Sequence, residues 1–299
     1  MKQAINSPFR YPGGKFYARK LILEYIPPHC CYVEPFAGGA SIFFAKDKVQ
    51  KNWLNDIDDE LINVYLYIRD YPDKLINALK NEVATKERHH FYKNIFSPSN
   101  NLEKALRWYY LNRTSYSGIM NMKNCYWGYG EKYSMRPENW GKNIIRTAEK
   151  LQNVRITQLD FEEVLEQVED GTFLFIDPPY FNADQDKFYN CSFSKQCHYR
   201  LANAIKRLNN RFKFLLTYDN SDQIQELYSW AKVIDEKEWN YTINRTDDQK
   251  LTQSIKNGDI KQQKVTKGSR YKGRELFITN YLPFTVSPIQ LCLNYDLIK

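Results

Sequence analysis

Apolar and polar residues alternate in short blocks at the start of the chain, and the blocks predict alternating strands and helices. Apolar runs at Tyr32-Val33 and Trp53-Leu54 are typical of buried strands. Apolar residues three and four positions apart predict helices over about residues 15–25, 40–46 and 58–69. This stretch is therefore predicted to form two successive β-α units.

The same rhythm returns in the second half of the chain. Strands are predicted at 154–156, 173–176 and 212–217, and helices at 161–168 and 223–230. Alternation of this kind is typical of an α/β protein in which helices cover both faces of the sheet. The predicted fold is a doubly wound, mostly parallel, Rossmann-like sheet.

Residues 70–145 interrupt this rhythm. They have the pattern of several helices followed by a loop-rich stretch. We therefore predict a discontinuous core domain of residues 1–69 and 146–299, with residues 70–145 as an inserted, mainly helical domain.

The net charge of +8 is unevenly distributed. Residues 84–150, the first basic segment, hold twelve Lys or Arg and five Asp or Glu; residues 245–274, the second basic segment, hold nine and three. Basic segments on an otherwise acidic chain favour a polyanion as partner, because binding to phosphates releases counterions. The alternative is that these charges simply keep loops solvated.

Aromatic residues are interleaved with the basic ones in the insert. Nine of them lie between residues 107 and 140. Aromatic rings stack on bases and guanidinium groups contact phosphates or guanine edges, so the pattern predicts nucleic-acid binding. The alternative is that Trp108, Tyr109 and Leu111 form a core, and we expect this of those three.

Other classes are disfavoured by composition. The six cysteines lack paired metal-ligand spacing, and Cys191, Cys197 and His198 lack a fourth ligand, so no metal site is predicted. No apolar stretch is long enough to span a membrane, and the N-terminus lacks a signal-like segment. A cytoplasmic protein is expected.

The sequence Asp177-Pro178-Pro179-Tyr180 directly follows the predicted strand 173–176. Two prolines make the turn stiff and leave carbonyls free, so a carboxylate and a phenol are held close together. Such a turn can bind a planar amine, with N–H groups donated to Asp177 and to the Pro178 carbonyl while the Tyr180 ring stacks on the heterocycle. The alternative is a structural turn after a core strand.

A glycine turn after the first strand and an acid after the second predict a nucleoside site. Gly38 and Gly39 allow close backbone approach, and Asp56 can accept hydrogen bonds from ribose hydroxyls. The dinucleotide fingerprint is missing, and Gly13-Gly14-Lys15 lacks the spacing of a P-loop. A sulfonium nucleoside fits better, with Glu34 paired to its ammonium group and Phe36 beside its methionyl chain.

Four ordered motifs resemble the Dam-type DNA adenine-N6 methyltransferases, the alpha group of amino-methyltransferases. They are Phe9-Arg10-Tyr11-Pro12-Gly13-Gly14-Lys15, Val33-Glu34-Pro35-Phe36-Ala37-Gly38-Gly39-Ala40-Ser41, Asn55-Asp56-Ile57-Asp58 and Asp177-Pro178-Pro179-Tyr180. The resemblance implies transfer of a methyl group from S-adenosylmethionine to N6 of a flipped-out adenine in double-stranded DNA. It places Tyr11, Lys15, Asp56 and Asp177 at the cofactor, with Glu34 and residues 36–39 lining the same pocket.

The resemblance also makes the insert the target-recognition domain, since that family carries this domain between the cofactor motif and Asp-Pro-Pro-Tyr. Residues 110–118 resemble the Leu-Asn-Arg segment that opens the family's DNA-reading hairpin, whereas Ile119-Met120-Asn121-Met122 departs from it, so the target sequence is not carried over. Residues 269–281 resemble the family's closing strand, and the polar run 247–267 before it is predicted to be a mobile loop that clamps DNA phosphates. The predicted DNA-binding residues are Arg113, Tyr116, Lys123, Lys132, Arg136, Lys264, Lys267 and Arg270.

The expected partners are double-stranded DNA and a cognate restriction endonuclease that is not a stable subunit. A monomer or weak dimer of prokaryotic or phage type, associated with the nucleoid through DNA, is expected. The alternatives are a DNA-binding module that has lost catalysis, and an enzyme that methylates adenine in RNA. Methylation of cytosine N4 is disfavoured because that branch usually opens the turn with serine. A dehydrogenase is disfavoured by the glycine spacing.

Overall fold

Strands and helices alternate on either side of a helical stretch in the computed structural model, which describes residues 4–132, 134–182, 191–240, 255–256, 259–260 and 272–283. The strands are β1 (Cys31–Glu34), β2 (Lys51–Asn55), β3 (Val154–Thr157), β4 (Thr172–Ile176), β5 (Phe212–Asp219), β6 (Val233–Asn240), β7 (Ile255–Lys256), β8 (Asp259–Ile260) and β9 (Lys272–Thr279). The α-helices are α1 (Arg19–Tyr25), α2 (Ser41–Ala45), α3 (Asp59–Asp70), α4 (Pro72–Leu79), α5 (Lys86–Asn94), α6 (Asn101–Thr114), α7 (Trp140–Leu151), α8 (Phe161–Gln167), α9 (Lys195–Leu208) and α10 (Asp222–Leu227).

The main sheet has seven strands in the order β3-β2-β1-β4-β5-β9-β6. Strands β1 to β5 pair in parallel, and β9 runs antiparallel between β5 and β6. The strand order reverses direction between β1 and β4, so this sheet has the switch point at which α/β proteins bind ligands. The predicted mostly parallel, Rossmann-like α/β fold is confirmed.

Helices cover both faces of the sheet because side chains alternate along each buried strand. On β4, Phe173 and Phe175 enter one hydrophobic cluster, whereas Leu174 and Ile176 enter the other. Residues of α1 to α7 pack in the first cluster, and residues of α8 to α10 pack in the second. Each β4 side chain in these clusters is buried, so core packing holds the end of the strand that leads to residue 177.

The inserted residues 70–145 contain α4, α5, α6 and the start of α7. Helix α6 packs against α3, and α4 packs against α7. Trp108, Tyr109 and Leu111 are buried, which confirms their predicted role as core residues. They belong to the same hydrophobic cluster as residues of β1 and α1, so the insert shares its core with the sheet. The division into two domains stays a prediction.

Several element boundaries differ from the predicted ones. Helix α1 begins at Arg19, four residues later than predicted, after turns that bring Lys15 into the protein interior. Helix α10 ends at Leu227 instead of residue 230. Helix α9 and strand β6 were not predicted. The closing strand predicted within 269–281 is β9.

Candidate active site

The carboxyl ends of β1, β2 and β4 meet at the switch point of the sheet and carry the predicted motifs. Asp177 follows β4 directly, Asp56 follows β2, and the glycine turn follows β1. Because β1 lies between β2 and β4, the chain folds these three separate motifs onto one edge of the sheet.

The Asp177 carboxylate accepts hydrogen bonds from two side chains of the protein. The Lys15 ammonium lies 2.7 Å from Oδ1 and 2.9 Å from Oδ2. The Thr217 hydroxyl on β5 donates to Oδ1 over 2.7 Å. Oδ1 therefore has two donor groups at 2.7 Å and Oδ2 has one at 2.9 Å, so the orientation of the carboxylate is set before any substrate binds.

A second carboxylate, that of Glu275 on β9, approaches the same lysine. Its Oε2 lies 3.8 Å from Lys15 Nζ, and both side chains are nearly inaccessible to solvent. Burial by itself lowers the pKa of Lys15, but the charges of Asp177 and Glu275 outweigh it and raise the pKa. The lysine therefore stays a cation between two acids.

The loop after Asp177 is held at both of its ends. The Lys15 ammonium lies 4.9 Å from the centre of the Tyr180 ring, a cation–π contact. Asp219, at the end of β5, accepts hydrogen bonds from the Phe181 backbone N–H over 2.7 Å and from the Asn182 amide over 3.1 Å. Pro178 is buried and Pro179 partly exposed, so Asp-Pro-Pro-Tyr is anchored at its start and just after its end.

The glycine turn packs directly under Tyr11. Gly38 has a φ of +45°, and a Cβ there would lie 2.8 Å from a Tyr11 ring carbon; a Cβ at Gly39 would lie 3.0 Å from Tyr11 Cβ. The Gly38 N–H donates to Asp56 Oδ2 over 2.8 Å, and its carbonyl accepts from the Tyr65 hydroxyl over 2.9 Å. A side chain at either glycine would displace Tyr11.

Two acids beside this turn have raised pKa values. Burial raises the pKa of Asp56 to about 6, although backbone N–H groups of Asp58 and Gly38 bind its carboxylate. Burial raises the pKa of Glu34 to about 8, and Glu34 Oε1 accepts from the Tyr32 hydroxyl over 2.6 Å and from the Phe43 N–H over 2.8 Å. Glu34 is only 1% exposed, which argues against its predicted pairing with a ligand ammonium group.

A family model for the D12 class of N6 adenine-specific DNA methyltransferases matches residues 11–243, which include the glycine turn, Asp56 and Asp-Pro-Pro-Tyr. The chain belongs to this family. It is therefore an adenine-specific DNA methyltransferase, as the sequence predicts.

Named relatives of this methyltransferase come from a virus and from bacteria. The Type II methyltransferase M.CviBI of Paramecium bursaria Chlorella virus NC1A is 31% identical over 73% of this chain and 85% of its own length. The Type II methyltransferase M1.LlaDCHI of Lactococcus lactis subsp. cremoris is 28% identical over 94% of this chain and 98% of its own. The DNA adenine methylase of Escherichia coli strain K12 is 25% identical over 75% of this chain and 84% of its own.

The insert of the methyltransferase is joined to the segment that carries Tyr11 and Lys15. The Asn112 side chain donates to the Arg10 carbonyl over 2.7 Å and accepts from the Arg10 N–H over 3.1 Å. Gly118 has a φ of +73°, and a Cβ there would lie 2.2 Å from the Arg10 carbonyl oxygen. The predicted DNA-reading segment therefore touches the strip of chain that leads to the active site.

The residues predicted to contact DNA fall into three groups. Tyr116, Lys123, Lys132 and Arg136 are exposed. Arg113 is 6% exposed and donates to the Pro8 carbonyl over 3.1 Å, so its burial argues for a structural role in place of DNA contact. Lys264, Lys267 and Arg270 lie outside the described residues, as does the predicted clamp 247–267 apart from β7 and β8.

Three residues of the methyltransferase site carry no predicted role: Thr217, Asp219 and Glu275. Thr217 and Asp219 follow the apolar run 214–216 of β5, and Glu275 directly precedes the apolar run 276–278 of β9, which was the available signal. None of the described helices is long and apolar enough to cross a membrane.

Proposed function

We propose that the protein transfers a methyl group from S-adenosylmethionine to N6 of a flipped-out adenine in double-stranded DNA at a specific site. The observation that carries this proposal is the Asp177 carboxylate, oriented by Lys15 and Thr217 at the switch point of the sheet in a chain of the adenine-specific family.

The residues at the glycine turn fit S-adenosylmethionine. Gly38 is partly exposed beside Tyr11. The Asp56 carboxylate is also partly exposed and accepts N–H groups from Gly38 and Asp58, and we propose that a remaining lone pair accepts a ribose hydroxyl. One ammonium and two carboxylates, those of Lys15, Asp177 and Glu275, carry a formal charge of −1, which favours a sulfonium cation nearby. When bound, this cofactor supplies a methyl group activated by the positive sulfur.

Asp177 and Pro178 are proposed to hold the adenine amino group. Asp177 Oδ2 carries fewer donors than Oδ1, so Oδ2 is the oxygen proposed to accept one N6–H. The second N6–H is proposed to donate to the Pro178 carbonyl. The following residue, Pro179, has no backbone N–H that would compete with the amine. Two hydrogen bonds draw the N6 lone pair out of conjugation with the ring and aim it for attack. N6 would form a bond to the methyl carbon as the bond between that carbon and the sulfonium sulfur breaks. A neutral thioether, S-adenosylhomocysteine, would leave, and N6 would release one proton to solvent.

The Tyr180 ring is proposed to stack on the flipped adenine. A base inside a duplex is out of reach, and extruding it costs a few kcal/mol that stacking partly offsets. The contact between the ring and the Lys15 ammonium supports this role, because it fixes the ring close to the Asp177 carboxylate.

The DNA surface is proposed to combine Tyr116, Lys123, Lys132 and Arg136 of the insert with Lys264, Lys267 and Arg270. The exposure of the first four residues supports their assignment. We further propose action as a monomer or weak dimer in the cytoplasm, with a cognate restriction endonuclease as a functional partner that is not a stable subunit.

The substitution Asp177→Ala tests the proposal. We expect it to lower methyl transfer at least about 100-fold, because the amine loses its oriented acceptor. DNA affinity is expected to change little. The assay uses methyl-labelled S-adenosylmethionine with duplex DNA lacking adenine methylation, followed by nucleoside analysis and sequencing of the modified sites.

The matched control is Asp170→Ala, which removes an exposed carboxylate from the opposite end of β4. It is expected to retain normal turnover. Near-normal transfer by Asp177→Ala would contradict the assignment. A parallel assay offers RNA in place of duplex DNA, and label that appears only in the RNA would contradict DNA as the substrate.

A further inference from the structure

Glu275 is a fully buried acid in the middle of the antiparallel strand β9. It is 0% exposed, and its neighbours Leu276 and Phe277 are buried core residues. It lies in register with Asp219 of β5 and Lys237 of β6. Burying a carboxylate is costly unless a cation or hydrogen bonds compensate it, so this position needs a physical reason.

The Lys15 ammonium lies 3.8 Å from Glu275 Oε2. That ammonium already contacts both oxygens of Asp177 and donates to the Gly13 carbonyl over 3.1 Å. An ammonium has three N–H donors, and here they face the Asp177 carboxylate, a carbonyl and the Glu275 carboxylate. Lys15 therefore has two counter-ions, one close and one about an ångström more distant.

The contact between Lys15 and Asp177 conflicts with the proposed reaction. Lys15 binds Asp177 Oδ2, the oxygen assigned to the adenine amino group. An ammonium held by Asp177 alone would compete with the weaker, neutral amine donor, because hydrogen bonds between charged groups are the stronger ones. A second carboxylate on the other side of the lysine weakens this competition, because the ammonium keeps a counter-ion when it moves away from Oδ2.

We propose that Glu275 is a positioning residue for methyl transfer: as the second counter-ion of Lys15, it lets the ammonium shift toward β9 so that Asp177 Oδ2 can accept the adenine amino group. This inference rests on the proposed function of Asp177. It gives Lys15 a role inside the active site that is separate from its predicted contact with the cofactor, and it explains why an acid occupies the core of β9.

The test compares kcat and binding for Glu275→Gln, which removes the charge and keeps the shape. We expect kcat to fall about 10- to 100-fold, the size of one hydrogen bond to a charged group. The dissociation constants for S-adenosylmethionine and duplex DNA are expected to stay within about two-fold, since Glu275 contacts neither ligand in the proposal. Glu238→Gln on the neighbouring strand β6 is the control and should keep normal kcat.

A double variant separates positioning from a purely structural role. If Glu275 acts through Lys15, Lys15→Met combined with Glu275→Gln should have a kcat no lower than that of Lys15→Met alone. Losses that multiply would overturn the proposal, as would normal kcat in Glu275→Gln or a loss carried entirely by weaker binding.

Folding is checked by circular dichroism and thermal melting. If Glu275→Gln does not fold, Glu275→Asp decides, because it keeps the charge and shortens the reach to Lys15. A reduced kcat with unchanged dissociation constants supports the proposal, and normal kcat overturns it. Asp177→Ala is measured in the same assay: full activity there removes the proposed function, whereas loss there with normal Glu275 variants removes only this inference.

Discussion

A single buried carboxyl, that of Glu34, lies at the end of β1 next to the glycine turn. Its hydrogen bonds to the Tyr32 hydroxyl and the Phe43 N–H join β1 to helix α2. These bonds favour the ionised form, but burial outweighs them and raises the pKa to about 8. At this residue the position in the fold, more than the residue type, determines the charge.

We expect Glu34→Gln to flatten the pH dependence of stability. The folded protein holds the Glu34 proton more tightly than the unfolded chain, so this contribution is complete below pH 4.5 and is lost as pH rises to about 8. The loss is on the order of 1 kcal/mol per pH unit in that window. Urea unfolding at several pH values measures it, with exposed Glu163→Gln as control. Equal slopes for wild type and Glu34→Gln would contradict it.

At the scale of elements, the junction between α6 and the N-terminal strip connects the insert to the active site. Asn112 binds both backbone groups of Arg10, and Arg113 binds the Pro8 carbonyl. The chain then turns at Gly118 against Arg10. The N-terminal segment also carries Tyr11, which packs on the glycine turn, and Lys15, which pairs with Asp177. A displaced junction would therefore disturb both contacts.

Gly118→Ala is expected to be far more damaging than Gly171→Ala. Both glycines have positive φ, +73° and +81°, so both substitutions cost about 1–2 kcal/mol of backbone strain. A Cβ at Gly118 would also lie 2.2 Å from the Arg10 carbonyl oxygen, whereas nothing lies within 4 Å at Gly171. Thermal unfolding and methyl transfer measure the two variants. Similar losses in both would mean that the contact with Arg10 is unimportant.

At the scale of the molecule, the insert presents several basic side chains at the surface. Lys123, Lys132 and Arg136 are exposed there, whereas Arg113 of the same segment is buried. Lys206, Lys213 and Lys232 are also exposed, but they lie near the amino ends of β5 and β6, at the sheet edge opposite Asp177. Lys206, Lys213 and Lys232 therefore provide a matched set of exposed charges as a control for the three residues of the insert.

Neutralising Lys123, Lys132 and Arg136 to glutamine is expected to reduce the slope of log affinity for DNA against log salt concentration. Each lost phosphate contact lowers the slope by about 0.9, because fewer counterions are released. Binding of duplex DNA at several salt concentrations measures the slope. The triple variant Lys206, Lys213, Lys232 to glutamine should leave the slope unchanged, and equal effects of both sets would place the DNA elsewhere.

Local patterns were sufficient to predict the strands that carry the chemistry. Apolar runs ended by Glu34, Asn55 and Ile176 are signals within a few residues, and they correctly indicated β1, β2 and β4. The parallel sheet follows from their alternation with helices, and the ordered motifs predicted the adenine-methyltransferase family.

Only the tertiary structure decided which of these side chains meet and which are buried. Glu275 reaches Lys15 because β9 inserts antiparallel between β5 and β6, a pairing between residues far apart in the chain. Arg113 and Glu34 have the residue types of binding groups, yet packing around them excludes solvent. Pairing and burial depend on long-range contacts, which local sequence patterns do not encode.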